Sequence, residues 1–123
     1  MSMSPEHAYR RIYHIVGQAE WEDATARGVY QPRSLTTEGF IHCSTVDQVA
    51  GVARALYADQ EELLMLHLDV ELIAPEIRYE GEPEAFPHIY GPLELAAVLH
   101  VQRYAAGDDG RFPPPDPWDT AAQ

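Results

Sequence analysis

Apolar residues along this chain recur at two spacings, and the places where the spacing changes divide it into elements. RRIYHIV, residues 10–16, is a β-branched and aromatic run closed by Gly17, the signature of a strand. Alternation puts Ile12, His14 and Val16 on one face and Tyr13 and Ile15 on the other. QAEWEDATAR follows, acidic early, with Arg27 late and Gly28 just beyond, the polarity of a helix over 18–27 that ends on a glycine cap. Trp21, Ala24 and Thr25 would then face the core. Gln31-Pro32-Arg33 reads as irregular, and the chain becomes extended again at Gly39. A strand over 39–43 sends Phe40 and His42 to one face and Ile41 and Cys43 to the other.

Ser44-Thr45-Val46-Asp47-Gln48 carries two overlapping helix starts, with Ser44 or Thr45 as cap and Asp47 or Gln48 reaching back. Val46, Val49, Ala53, Leu56 and Tyr57 continue at helical spacing, so a helix is predicted over 45–57. LLMLHLDVELI, residues 63–73, alternates once more. It predicts a half-buried strand, with Leu64, Leu66, Leu68 and Val70 inward and Met65, His67, Asp69 and Glu71 in solvent. IRYEGE, 77–82, is a further short strand. FPHIYGPLEL, 86–95, holds two prolines and a glycine around His88 and Tyr90 and reads as an ordered loop. AAVLHVQRY, 96–104, closes the fold as a strand.

Short strands with two early helices and no internal repeat predict one α+β domain over 10–107, built from small, mostly antiparallel sheets. Residues 1–9 form an N-terminal extension and 108–123 an acidic, proline-rich tail. Four prolines and four aspartates leave that tail little to bury, with Phe112 and Trp118 as the groups able to dock.

Charge narrows the function. The net −12 comes from 20 carboxylates against 8 basic residues, every one an arginine. Such a surface repels phosphate backbones, so general nucleic-acid binding is not expected. Without lysine there is no Schiff-base chemistry, and any bound anion must be met by arginine, histidine or backbone N–H groups. One cysteine precludes an internal disulfide, and no basic stretch leads into an apolar one at the start, which predicts a cytoplasmic protein. No apolar run approaches the roughly 18 residues that suggest a bilayer span, so no membrane partner is expected.

Six histidines raise the question of a metal, but no His-x-His, His-x3-His or His-Glu-x2-His is present and none is predicted. Gly-x-Ser-x-Gly and Gly-x-Gly-x-x-Gly are absent too. His42 and Cys43 point apart on their strand, which disfavours a nucleophilic pair and leaves Cys43 as a small core residue. His42 instead projects beside the N–H groups of the helix start at Ser44, an anion site. The candidates that remain for a small-molecule site are His14, Tyr30, Arg33, His42, His88 and Tyr90.

IYHIV, GVYQPRSLTTEGFIHCS and FPHIYGPL resemble the small bacterial proteins grouped as domain of unknown function 952, from residue 10 to about 104. That group is similar in fold to ADP-ribosyltransferases, which bind NAD in a cleft between two small sheets. The resemblance implies an ADP-ribosyltransferase-like fold with NAD or another nucleotide as ligand. On this chain it implies His42, His88, Tyr90 and Glu94 as catalytic residues, Glu94 standing for the late glutamate that steadies the ribose cation. His14, Tyr30, Arg33, Phe40 and Ser44 would contact the cofactor. Glu80-Gly81-Glu82 and Glu82-Pro83-Glu84 have the spelling of a Glu-x-Glu motif, with glycine and proline where a strand is needed. Two functions follow: a transferase, or a binding module that kept the cleft and lost the glutamate.

Overall fold

The computed structural model describes residues 10–116. In chain order the elements are β1 (Arg11–Gly17), α1 (Gln18–Arg27), β2 (Val29–Tyr30), α2 (Ser34–Thr37), β3 (Ile41–His42), α3 (Val49–Tyr57), β4 (Leu63–Asp69), β5 (Ile77–Glu80), β6 (Phe86–Ile89), β7 (Leu93–Glu94) and β8 (Val98–Tyr104). The strands form three sheets, ordered β1-β4-β8, β2-β7 and β3-β6-β5, and every pairing is antiparallel. This is the α+β class expected from the alternating runs.

β4 is the spine of the largest sheet, and its seven residues are all buried. Leu64, Leu66 and Leu68 pack with Ile12 and Val16 into a core that takes in Ile41, Ile89 and Leu93 from the smaller sheets. Leu63 and Met65 pack on the other face with Tyr13, Val49, Ala53, Tyr104 and Phe112. The half-buried strand predicted here is therefore corrected. His67 is 1 % exposed, and its Nε2–H donates to the Gln102 side-chain oxygen at 2.8 Å. Asp69 is also buried, accepts from Arg10 Nε at 3.0 Å and caps the following turn through the Glu71 N–H at 2.9 Å. Alternation within a strand reports its own pattern, whereas the cover on this face comes from α3 and the C-terminal segment.

α1 occupies the predicted 18–27 and ends at Gly28, whose φ of 87° suits a residue without Cβ. Thr25 lies in solvent rather than in the core. The irregular segment at 31–33 leads into the short α2, which periodicity did not reveal. The strand predicted over 39–43 pairs only at Ile41 and His42. Its continuation turns to β1 instead: the Tyr13 N–H donates to the Ser44 carbonyl and the Ser44 N–H to the Tyr13 carbonyl, both at 2.8 Å. The helix predicted from residue 45 begins at Val49, after a turn in which the Gln48 side chain accepts from the Thr45 N–H at 3.0 Å.

The ordered loop predicted over 86–95 is mostly strand. β6 sits in the middle of its sheet despite Pro87, whose carbonyl accepts from the Cys43 N–H at 3.0 Å where β3 ends. A proline is tolerated there because the partner strand is too short to require its missing donor. The segment after β8 is docked as far as residue 116. Phe112 is 7 % exposed with its ring 5.1 Å from that of Tyr104, and the Tyr104 hydroxyl donates to the Pro113 carbonyl at 2.6 Å. The expectation that this stretch buries little is corrected by one aromatic ring. Trp118 and the extension 1–9 lie outside the described residues.

Phe112→Ala should cost about 3 kcal/mol, a fall in Tm of about 10 °C for a domain of this size. Differential scanning calorimetry reads it; a change of a degree or less would show that the docked ring contributes nothing.

Candidate functional site

His14 stands on β1, 8 % exposed, with both ring nitrogens engaged. Nδ1 lies 2.5 Å from the His42 carbonyl oxygen and Nε2 lies 2.6 Å from the Tyr30 hydroxyl. A carbonyl can only accept, so Nδ1 carries the hydrogen, and the lone pair on Nε2 accepts from the Tyr30 O–H. Burial lowers the His14 pKa from 6.5 to about 4, which keeps the ring neutral. Burial, reinforced by Glu20, pushes the Tyr30 hydroxyl up, so it remains a donor. One imidazole thereby joins β1 to β2 and β3, a strand from each sheet.

Around this junction opens a cleft of about 440 Å³. Its polar wall carries His14, Tyr30, Arg33, His42, Ser44 and His88, and α3 supplies Val52, Leu56 and Tyr57. Leu56 is 68 % exposed, an apolar surface open to a ligand. The register of β3 on β6 sets His42 opposite His88, with ring centroids 5.4 Å apart. Phe40 stacks on His88 at 4.0 Å and 16° and meets the His42 ring at 4.8 Å. Tyr90 approaches Phe40 at 5.2 Å, and the Arg78 guanidinium lies 4.6 Å over the Tyr90 ring.

Two carboxylates hold this ring cluster. His88 Nδ1 and the Tyr90 hydroxyl both donate to Glu80 Oε1, at 2.9 and 2.5 Å. The Tyr90 bond first and the His88 bond second lower the Glu80 pKa, and the same contact raises that of Tyr90. His42 Nε2 lies 3.1 Å from each Glu38 oxygen, in an exposed pair. Cys43 is buried, which pushes its thiol up and leaves it inert, as its inward strand face implied.

Of the nine residues singled out from the sequence, His14, Tyr30, Arg33, His42, Ser44 and His88 meet on the cleft wall. Phe40 and Tyr90 stand beside it, holding His88 by stacking and through Glu80. Glu94 does not join them: it pairs with Val29 on β7, exposed and away from the cleft lining. The anion site expected at a helix start beside His42 is also corrected, because the Ser44 and Thr45 N–H groups are bound to Tyr13 and Gln48. His14 faces the cleft with neither nitrogen left for a ligand.

Sequence reasoning missed Glu80, Glu20 and Tyr57 as members of the site. Reading 77–89 as a hairpin would have found the first, since Arg78, Glu80, Phe86 and His88 then share one face. Glu20 is the only carboxylate on the cleft wall among the described residues and stands in the acidic first turn of α1. Among the described residues no group of three or more histidine, cysteine or acidic side chains is placed to hold a metal ion, and no helix is long and apolar enough to cross a membrane.

Three small antiparallel sheets around a histidine-lined cleft define a small α+β protein. The chain belongs to the family described as Protein of unknown function (DUF952), whose model matches residues 15–101. The crystal structure of protein CC0527 from Caulobacter crescentus is similar at a TM-score of 0.75 and 28 % identity, over 92 % of this chain and 99 % of that one. The solution NMR structure of CC0527 gives 0.72 and 29 %, over 90 % and 96 %. No curated protein matches the chain.

The depressed His14 pKa has a definite sign in stability. Unfolding releases the ring to its ordinary value, so the unfolded chain binds the extra proton between pH 6.5 and about 4. This contribution is complete above the upper value and is lost as pH falls through the lower one, by up to about 3 kcal/mol. Urea unfolding at about pH 7 and about pH 4.5 should show a steeper acid loss for wild type than for His14→Gln. Equal slopes would contradict a buried neutral imidazole.

Proposed function

We propose that the cleft binds a nucleotide such as NAD, in an ADP-ribosyltransferase-like arrangement. The observation that carries this reading is the convergence of His14, Tyr30, Arg33, His42, Ser44 and His88 on one cleft of about 440 Å³, a volume suited to a small ligand. Arg33 is exposed on that wall and has no carboxylate within ion-pair distance among the described residues, which suits a phosphate group. Phe86, Tyr57 and Leu56 offer ring and apolar surface for a base. Glu20 is the acid available to a ribosyl cation there, in place of Glu94.

The second reading is a binding module without turnover. It is favoured by the position of Glu94 outside the cleft, which leaves the late glutamate of the transferase pattern without a counterpart in the site. Nicotinamide release from NAD separates the two readings, because binding without release leaves only the module.

Isothermal titration of NAD and ADP-ribose into the full chain should give saturable binding that Arg33→Ala weakens about tenfold, the loss of roughly 1.4 kcal/mol. Absence of binding by both ligands at millimolar concentration would end the nucleotide reading.

A further inference from the structure

We propose that His88 is the general base of the cleft and that Glu80 is its positioning residue, fixing the imidazole so that Nε2 is the basic atom on the wall. The inference rests on the reading of the cleft as a ligand site and deepens it. His88 is the one cleft histidine whose ring is both part-buried and half-engaged, with 14 % of its side chain exposed. His14 has both nitrogens occupied, and His42 is 53 % exposed beside an equally open Glu38. A carboxylate accepts only, so in the neutral ring Glu80 holds the hydrogen on Nδ1 at 2.9 Å and places the lone pair on Nε2. Nε2 has no hydrogen-bond partner among the described residues.

Glu80 is itself restrained. Tyr90 donates to the same oxygen at 2.5 Å, and Arg78 lies over the Tyr90 ring at 4.6 Å. Phe40, stacked at 4.0 Å, fixes the plane of the His88 ring. Tautomer, plane and tilt of the base are thus set before any ligand arrives, which is the arrangement that general-base catalysis requires.

In the step this permits, an acceptor hydroxyl or water gives its proton to Nε2: the O–H bond breaks, an N–H bond forms and the electron pair stays on oxygen. The imidazolium keeps its Nδ1–H on the Glu80 carboxylate, which offsets the new charge. With NAD as ligand, the oxygen then bonds to the ribosyl carbon as the glycosidic C–N bond breaks, and that electron pair leaves on the nicotinamide nitrogen.

The test is nitrogen-15 NMR of the histidine side chains in the full chain at neutral pH. Wild type should show His88 with its hydrogen on Nδ1. Glu80→Gln, which keeps an accepting oxygen, and Tyr90→Phe should retain that tautomer, while Glu80→Ala should lose it. A hydrogen on Nε2 in wild type, or an unchanged ring in Glu80→Ala, overturns the proposal. Diethyl pyrocarbonate followed by peptide mass spectrometry gives a second measure: His88 should be acylated at Nε2, more slowly in Glu80→Ala, and an unreactive His88 also overturns it. Protection of His88 by NAD supports both readings. If NAD neither binds nor protects while the tautomer still depends on Glu80, the nucleotide falls and the Glu80–His88 pair stands. If NAD binds but His88 carries its hydrogen on Nε2, the pair falls and the binding site stands.

Discussion

The architecture depends on one neutral imidazole. Beside apolar packing, β3 and its continuation reach the main sheet through two backbone bonds between Tyr13 and Ser44, and the His14 side chain bonds to both smaller sheets. Burial holds the ring neutral, so Nδ1–H donates to the His42 carbonyl while Nε2 accepts from the Tyr30 O–H, and charging the ring would carry the cost of desolvating an imidazolium. Truncation would leave the buried Tyr30 hydroxyl without its acceptor, a cost of about 1–3 kcal/mol. An apolar side chain of similar volume would fill the space but hold neither neighbour in register.

That junction also shapes the site. The carbonyl that His14 grips belongs to His42, so the strand presenting His42 is tethered at the residue whose side chain faces the cleft. β3 is two residues long, yet its register against β6 suffices to set His42 opposite His88. Gly39, at a φ of 95°, turns the chain just before Phe40, where a Cβ would be strained. Gly91 lies so close to Pro75 that a Cβ would come within 2.9 Å of its ring, which keeps the exit of β6 tight behind Tyr90.

Charge is distributed to the same effect. With a net −12, most arginines on this chain have a carboxylate at hand: Arg10 and Arg11 at Asp69, Arg27 at Asp23, Arg78 at Glu76 and Arg111 at Asp109. Arg33 has none among the described residues and lies on the cleft wall. Long-range repulsion from so acidic a chain disfavours anions in general, and Arg33 places a local cation on the cleft wall.

Local pattern by itself determined the α+β class, the positions of β1, α1 and β8, the inward faces of Ile41 and Cys43, and the cleft-facing side of His42. These follow from spacing, which acts between residues close in sequence. It also picked out the histidines that meet at the cleft, because each stands in a strand or beside a turn where no local role absorbs it. What only the tertiary structure decided is whatever depends on partners remote in sequence. Examples are the burial of His67 and Asp69, the capture of both His14 nitrogens, the removal of Glu94 to the edge pair β2-β7, and the union of Glu80 with His88 and Tyr90. A side chain's pattern states which face it takes; only the packed chain states what waits on that face.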